Sequence, residues 1–185
     1  MNKHLLRSQL RKARRALTSS QQQQAAVAIC SQILHQHTFR SAKNIAVYIA
    51  NDGEISPHLI ARTARKLGKQ VYLPVVQRDR LRFRIAPAGA KMWRNRFQIP
   101  EPLPKYADVP GDCLDLVLMP LVGFDKWGNR LGMGGGFYDR TFACNHLRPK
   151  LVGLAHHLQE VDSLLVDNWD IPLDAVATDR QWLSV

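Results

Sequence analysis

The chain has 185 residues, 45% hydrophobic and 22% charged, an ordinary globular balance that can bury a sizeable core without disulfide or metal staples. No run approaches the roughly 18 apolar residues of a membrane span, and Cys30, Cys113 and Cys144 have neither metal-site nor disulfide-framework spacing, so a reducing, cytoplasmic setting is expected. The formal net charge of +11 raises a nucleic-acid partner, but no Asp or Glu precedes Asp52, and a basic excess so concentrated fits a polyanionic small molecule such as a nucleoside triphosphate equally well.

Lys3 to Leu17 has the spacing of a helix, with Leu6, Leu10, Ala13 and Leu17 as an apolar stripe and Lys3, Arg7, Arg11 and Arg14 as a basic stripe beside it. The same basic, amphipathic residues resemble an organelle presequence, and they lack the apolar block of a secretory signal. Thr18 to His37 reads as a second helix, with Thr18, Ser19 and Ser20 as candidate caps and Ala26, Ile29, Ile33 and Leu34 facing inward. Asn44 to Ala50 is a short β-branched run, hence a buried strand. Ser56 to Lys69 follows as a helix, with Ser56 as N-cap, Pro57 in the first turn and Gly68 at its end, and Gln70 to Val76 is another buried strand. Strand, helix, strand at these spacings is a βαβ unit with parallel strands. Leu81 to Pro87 alternates like an edge strand, Lys91 to Gly111 is Pro-rich and reads as an irregular connection, and Leu114 to Phe124 is the most apolar run and a central strand. A glycine-rich loop, a helix over Tyr138 to Leu147, a strand over Lys150 to His157, a short helix and a last strand near Asp174 to Asp179 complete one α/β domain with a mainly parallel sheet.

The loop "GNRLGMGGGFYDR", Gly128 to Arg140, leaves the C-terminal end of the central strand, where open α/β sheets bind ligands. Its glycines expose backbone N–H groups at a helix start, which suits phosphate, although a tight turn packed on the sheet accounts for glycines equally well. Neither a G-x-x-x-x-G-K-[ST] loop nor a G-x-G-x-x-G fingerprint is present, since no Lys-Ser or Lys-Thr follows and Phe137 stands at the third glycine position. Arg130 can clamp phosphate oxygens. Asp139, a carboxylate beside them, suggests an intervening Mg²⁺, or else an acid favouring the first helical turn.

"DLVLMPLVGFDKWGNRLGMGGGFYDR" resembles the signature of the 5-formyltetrahydrofolate cyclo-ligase (5,10-methenyltetrahydrofolate synthetase) family, and "KHLLR", "NDGEIS" and "NWDIPLDAV" match in order, so the resemblance spans essentially residues 1–185. It implies a single-domain, three-layer α/β sandwich that uses ATP and Mg²⁺ to convert 5-formyltetrahydrofolate, with or without a polyglutamate tail, to 5,10-methenyltetrahydrofolate. By resemblance, Lys3, His4, Leu5, Leu6 and Arg7 line ATP together with Arg130, Leu131, Gly132, Met133, Gly134, Gly135, Gly136, Phe137 and Tyr138. Ile49, Glu54, Met133, Phe137 and Tyr138 contact the folate, Asp139 and Asp170 hold Mg²⁺, and Glu54 and Arg130 are the catalytic candidates. Many relatives have Tyr where Phe137 stands and some have Lys where Gly135 stands. The implied protein is a monomer that binds neither nucleic acid nor membrane. Two alternatives stand beside it: another ATP- or sugar-phosphate-using enzyme on the same fold, which fold analogy alone does not exclude, and a nucleic-acid module built on the first helix, which leaves the glycine loop unexplained and lacks interleaved aromatics.

Overall fold

The computed structural model describes residues 2–143 and 148–185. Helix α1 (Lys3–Arg15) starts at Asn2, whose Oδ1 accepts the N–H of His4 at 2.8 Å. It buries Leu6, Leu10 and Arg14 at four-residue spacing, while Ala13 is exposed and Leu17 half-buried. The stripe expected through Ala13 is therefore corrected: Arg14 continues the inward line, because acceptors await its guanidinium underneath. Helix α2 (Ser19–His35) opens on a capping box, Thr18 Oγ1 accepting the Gln21 N–H at 3.2 Å and Gln21 Oε1 accepting the Thr18 N–H at 2.9 Å. It buries Ala25, Ala26, Ile29, Cys30 and Ile33, and stops two residues before the expected end. A one-turn helix, α3 (His37–Ser41), follows and buries Phe39.

Strand β1 (Asn44–Ala46) is shorter than expected. One further ladder bond runs from Val47 N to Tyr72 O at 3.0 Å, and then the chain turns away as the Tyr48 hydroxyl donates to Ile55 O at 2.6 Å. Helix α4 (His58–Lys66) begins just past Ser56, whose Oγ still accepts the His58 N–H at 3.4 Å. Strands β2 (Gln70–Gln77) and β3 (Arg80–Ile85) form an antiparallel hairpin.

The Pro-rich connection is less irregular than its composition suggests. β4 (Met92–Arg94) and β5 (Pro100–Pro102) make a separate two-stranded hairpin, and β6 (Asp108–Val109) covers β3. Pro is tolerated in such an edge ladder, and Glu101 ties the hairpin to β2 by accepting the Val76 N–H at 2.9 Å.

The apolar run after Asp115 splits into β7 (Leu116–Pro120) and β8 (Gly123–Phe124), the latter pairing with β9 (Arg130–Leu131). The break falls where buried side chains capture the carbonyls: Leu121 O accepts from Arg14 and Gln159, and Val122 O from Gln159. Helix α5 (Phe137–Phe142) follows the glycine loop, and the expected continuation over residues 144–147 lies outside the described residues. Strands β10 (Lys150–Ala155), β11 (Ala175–Thr178) and an antiparallel β12 (Trp182–Ser184) close the sheet.

The strand order is β12-β11-β10-β7-β1-β2-β3-β6, with the five strands from β11 to β2 parallel. Alternate residues feed opposite faces: Ile45, Leu116, Leu118, Val152 and Leu154 pack under α2 and α4, whereas Ala46, Val117, Met119 and Leu151 pack with Phe83, Phe124 and Phe142 on the α5 side. Leu6 and Leu10 of α1 pack with Val122 and Leu131 of the β8–β9 region. The result is helices on both faces of a mainly parallel sheet, as expected. No described helix is long and apolar enough to cross a membrane.

Candidate active site

β1 leads through α4 on one face and β7 through α5 on the other, yet the two strands are neighbours, pairing Ile45 with Leu116 and Ala46 with Val117. Their exits therefore diverge and leave a crevice at the C-terminal edge of the sheet, the switch point where open α/β sheets bind ligands. A cavity of about 1040 Å³ occupies it, at the upper end of the usual range for ligand sites. The turn after β1 (Tyr48, Ile49, Asn51, Asp52, Glu54) forms one wall and the glycine loop with the start of α5 another. α1 contributes Lys3 and Arg7, the β4–β5 hairpin Asn95, Phe97, Ile99 and Glu101, and the segment before β11 Asp167, Trp169 and Asp170.

The basic stripe of α1 faces inward. Lys3 Nζ donates to Asp167 at 2.6 Å and to Asp170 at 3.2 Å, and the Asp167 bond raises the lysine's pKa. Arg7 Nε donates to Gly132 O at 2.8 Å. Arg11, Arg14 and Arg15 all converge on the Asp52 carboxylate. Burial pushes that carboxyl up, but the three guanidiniums outweigh it and hold it at about 2. For Glu54, burial raises the pKa against the opposing Asn51 N–H bond, at 3.0 Å, and the Arg14 charge, at 3.7 Å. Tyr138 lies near enough that the Glu54 charge adds to burial in pushing its phenol up.

In the glycine loop, Arg130 pairs with Asp139 at 2.5 Å and donates to Ile171 O, while Ile171 N donates to Asp139 at 3.2 Å. Asp139 is thereby tied to the residue next to Asp170, whose Oδ2 accepts the Asp167 N–H at 2.9 Å. Asp170 is thus both a turn former and a cavity carboxylate. Gly136, with φ +63°, is the left-handed N-cap of α5. A Cβ on Gly135 would meet the Phe137 ring at 2.9 Å, and one on Gly134 would lie 3.7 Å from Arg7. Arg140 donates to Gly135 O at 2.5 Å. Two guanidiniums therefore flank the glycines. Phe137 meets Phe97 edge-to-face at 5.7 Å, a contact that needs no hydroxyl.

Most sequence-derived site residues line the cavity: Lys3, Arg7, Ile49, Glu54, Asp170 and every residue from Arg130 to Asp139. His4 and Leu5 do not; both are exposed on α1, and Leu6 is buried in the core. Sequence reasoning missed Asp52, Phe97, Glu101, Asp167 and Trp169 as cavity residues and Arg14 as the buried partner of Asp52. Asp52 had one visible signal, being the first acid after a long basic stretch. The hairpin residues had none, because their approach is decided by how β4 and β5 dock on β2.

A mainly parallel sheet with helices on both faces and a cavity at its switch point defines a ligand-binding protein of the open α/β type. Comparison with known proteins narrows this: the model of the 5-formyltetrahydrofolate cyclo-ligase family matches residues 1–179, and the chain belongs to that enzyme family. It is 40% identical over 174 residues to the Escherichia coli (strain K12) 5-formyltetrahydrofolate cyclo-ligase, covering 91% of this chain and 96% of that one. It is 42% identical over 173 residues to the Haemophilus influenzae protein of the same name, covering 91% and 92%. The NMR structure of Aquifex aeolicus 5,10-methenyltetrahydrofolate synthetase superposes with a TM-score of 0.88 at 27% identity, over 100% of this chain and 93% of that one.

Proposed function

We propose that the chain converts 5-formyltetrahydrofolate to 5,10-methenyltetrahydrofolate, with ATP giving ADP and phosphate. The observation that carries this, beside family membership, is one cavity lined by two kinds of side chain. Lys3, Arg7, Arg130 and the glycine loop suit a triphosphate, while Glu54, Tyr138, Phe137 and Phe97 suit a polar ring with aromatic faces.

In this mechanism the formyl oxygen attacks the γ-phosphorus and ADP leaves, producing a phosphorylated imidate. N10 then attacks the formyl carbon, phosphate departs with the former formyl oxygen, and the N10 proton is lost as the methenyl bridge closes. Phosphorylation turns an oxygen that cannot leave into one that can. The protein's part is to align the reactants and neutralise charge. Arg130 and Arg7 meet phosphate oxygens, and the aromatic pair Phe97 and Phe137 flanks the ring system. Glu54 orients the folate and, by virtue of its raised pKa, is suited to take the N10 proton.

The donor set fits a bound Mg²⁺. Asp139 and Asp170 line the same cavity and would be its two hard carboxylate ligands, since Asp139 Oδ2 and Asp170 Oδ1 have no hydrogen-bond partner among the described residues. Such an ion would supply charge compensation at the phosphates. Lys3 and Arg130 would then be freed from these carboxylates to meet the nucleotide.

Purified protein with ATP, Mg²⁺ and 5-formyltetrahydrofolate is expected to develop the methenyl absorbance; absence of an ATP-dependent product would overturn the reading. Arg7→Ala should raise the KM for ATP about 10- to 100-fold, the value of a charged hydrogen bond, and leave the folate KM unchanged. A parallel rise in both would return Arg7 to a purely structural contact with the loop.

A further inference from the structure

We propose that Arg14 is the positioning residue of this site: from beneath the cavity its guanidinium holds the Asn51–Glu54 turn in place and counter-charges Glu54. This rests on Glu54 being the folate-facing carboxylate.

Arg14 is the one basic residue among the fully buried side chains of the described residues, and every nitrogen of its fork has a partner. Nε donates to Asp52 O at 2.8 Å, Nη1 to Leu121 O at 3.1 Å, and Nη2 to Asp52 Oδ2 at 2.8 Å, 3.7 Å from Glu54 Oε1. It therefore joins the exits of β1 and β7, the two strands whose divergence makes the crevice. The turn it holds is one the chain does not adopt freely. Asp52, at φ +56°, and Gly53, at φ +76°, are both left-handed, a conformation that costs a non-glycine residue free energy unless its surroundings impose it. Arg11 and Arg15 also reach the Asp52 carboxylate, but in addition Arg14 reaches the Asp52 backbone and Glu54.

The surroundings of Glu54 make the counter-charge matter. Arg11 and Arg14 act on it from α1, Asp52 from its own turn, and Tyr48 and Tyr138 lie close enough to feel its charge. Behind the turn the His156 Nε2 donates to Gly53 O at 3.2 Å. Burial and Asp52 both favour the neutral carboxyl, and of the side chains Arg14 is the largest influence opposing them. A lysine could supply the charge but not the planar fork that takes three acceptors at once.

The test compares Arg14→Lys and Arg14→Met with the wild type, with thermal unfolding confirming that each is folded. For Arg14→Lys, kcat/KM for 5-formyltetrahydrofolate is expected to fall about 100-fold, the cost of a small misplacement, while the KM for ATP stays unchanged. For Arg14→Met, the acid limb of the folate kcat/KM profile should move to higher pH by about 1 unit, since loss of an opposite charge raises the Glu54 pKa. In a Glu54→Gln background the Arg14→Lys effect should shrink, as expected for coupled residues. Equal losses for ATP and folate, an unmoved acid limb, or full additivity with Glu54→Gln would overturn the proposal. If both Arg14 variants fail to fold, Asp52→Asn decides on the split between folate and ATP parameters. Failure of the underlying reading looks different: Glu54→Gln would turn over folate like the wild type, whatever the Arg14 variants do.

Discussion

Asp52 sits at φ +56° at the exit of β1. Three arginines from one helix face converge on it, and its carboxyl is held at about 2 against an ordinary 3.8. A depressed carboxyl stabilises the fold above its unfolded pKa and loses that contribution as pH falls through the folded value. The Asp52 contribution should therefore be complete near pH 5 and vanish between about pH 4 and pH 2. With solvent screening of the outer pairs it is on the order of 1 kcal/mol. Urea unfolding of the wild type and Asp52→Asn should show that gap at neutral pH and its closure near pH 2; a gap independent of pH would show that Asp52 acts through shape alone. The sequence displayed a basic stripe but not its destination. Lys3, Arg7, Arg11 and Arg14 recur at helical spacing whether the stripe meets water or carboxylates, and only the fold brings Asp52, Asp167 and Asp170 to it.

Among the elements, the glycine loop and α5 were the most legible, and the hairpin over β4 and β5 the least. Gly136 ends the loop as the left-handed cap of α5, and a Cβ there would lie 2.6 Å from Arg140 Nη1. Arg140 can move aside, so backbone conformation dominates the cost. Gly136→Ala should lower unfolding free energy by about 1–2 kcal/mol, read as a lower urea midpoint. An unchanged midpoint would mean the loop takes another conformation in solution. The hairpin escaped sequence reading because its strands are three residues each and one is Pro-Glu-Pro, so neither alternation nor propensity marks it. Its docking depends on Glu101, which accepts from Val76 N and, at 2.7 Å, from Asn95 Nδ2. That in turn brings Phe97 against Phe137. Phe137 thus has its aromatic partner 40 residues earlier in the chain, a contact that local spacing does not reveal.

For the whole molecule, the charge of +11 suggests nucleic acid only while the arginines are imagined facing water. Much of the N-terminal excess is instead directed into the protein, toward carboxylates and a cavity, where a polyanionic ligand would complete the compensation. Ligand binding should therefore stabilise the fold: ATP at about 100 times its Kd is expected to add about 2.7 kcal/mol. If Asp139 and Asp170 hold Mg²⁺ in the site, chelating the metal should reduce the ATP-induced rise in melting temperature, and Asp139→Asn should reduce it likewise. An equal rise with and without Mg²⁺ would remove the metal from the nucleotide site.

The sequence by itself determined the α/β class, the order of the main strands and helices, and the loop that bears the glycines, Arg130 and Asp139. Periodicity, caps and breakers are local properties of the chain, and the long motif from Asp115 to Arg140 is contiguous. Only the tertiary structure decided that β1 and β7 lie side by side, so that Glu54 and the glycine loop face each other across one cavity. The same packing put Arg14 under Glu54 and Phe97 over Phe137. These are pairings between residues distant in sequence, set by which strands share hydrogen bonds and which helix covers which face, and the chain carries no local signal of them.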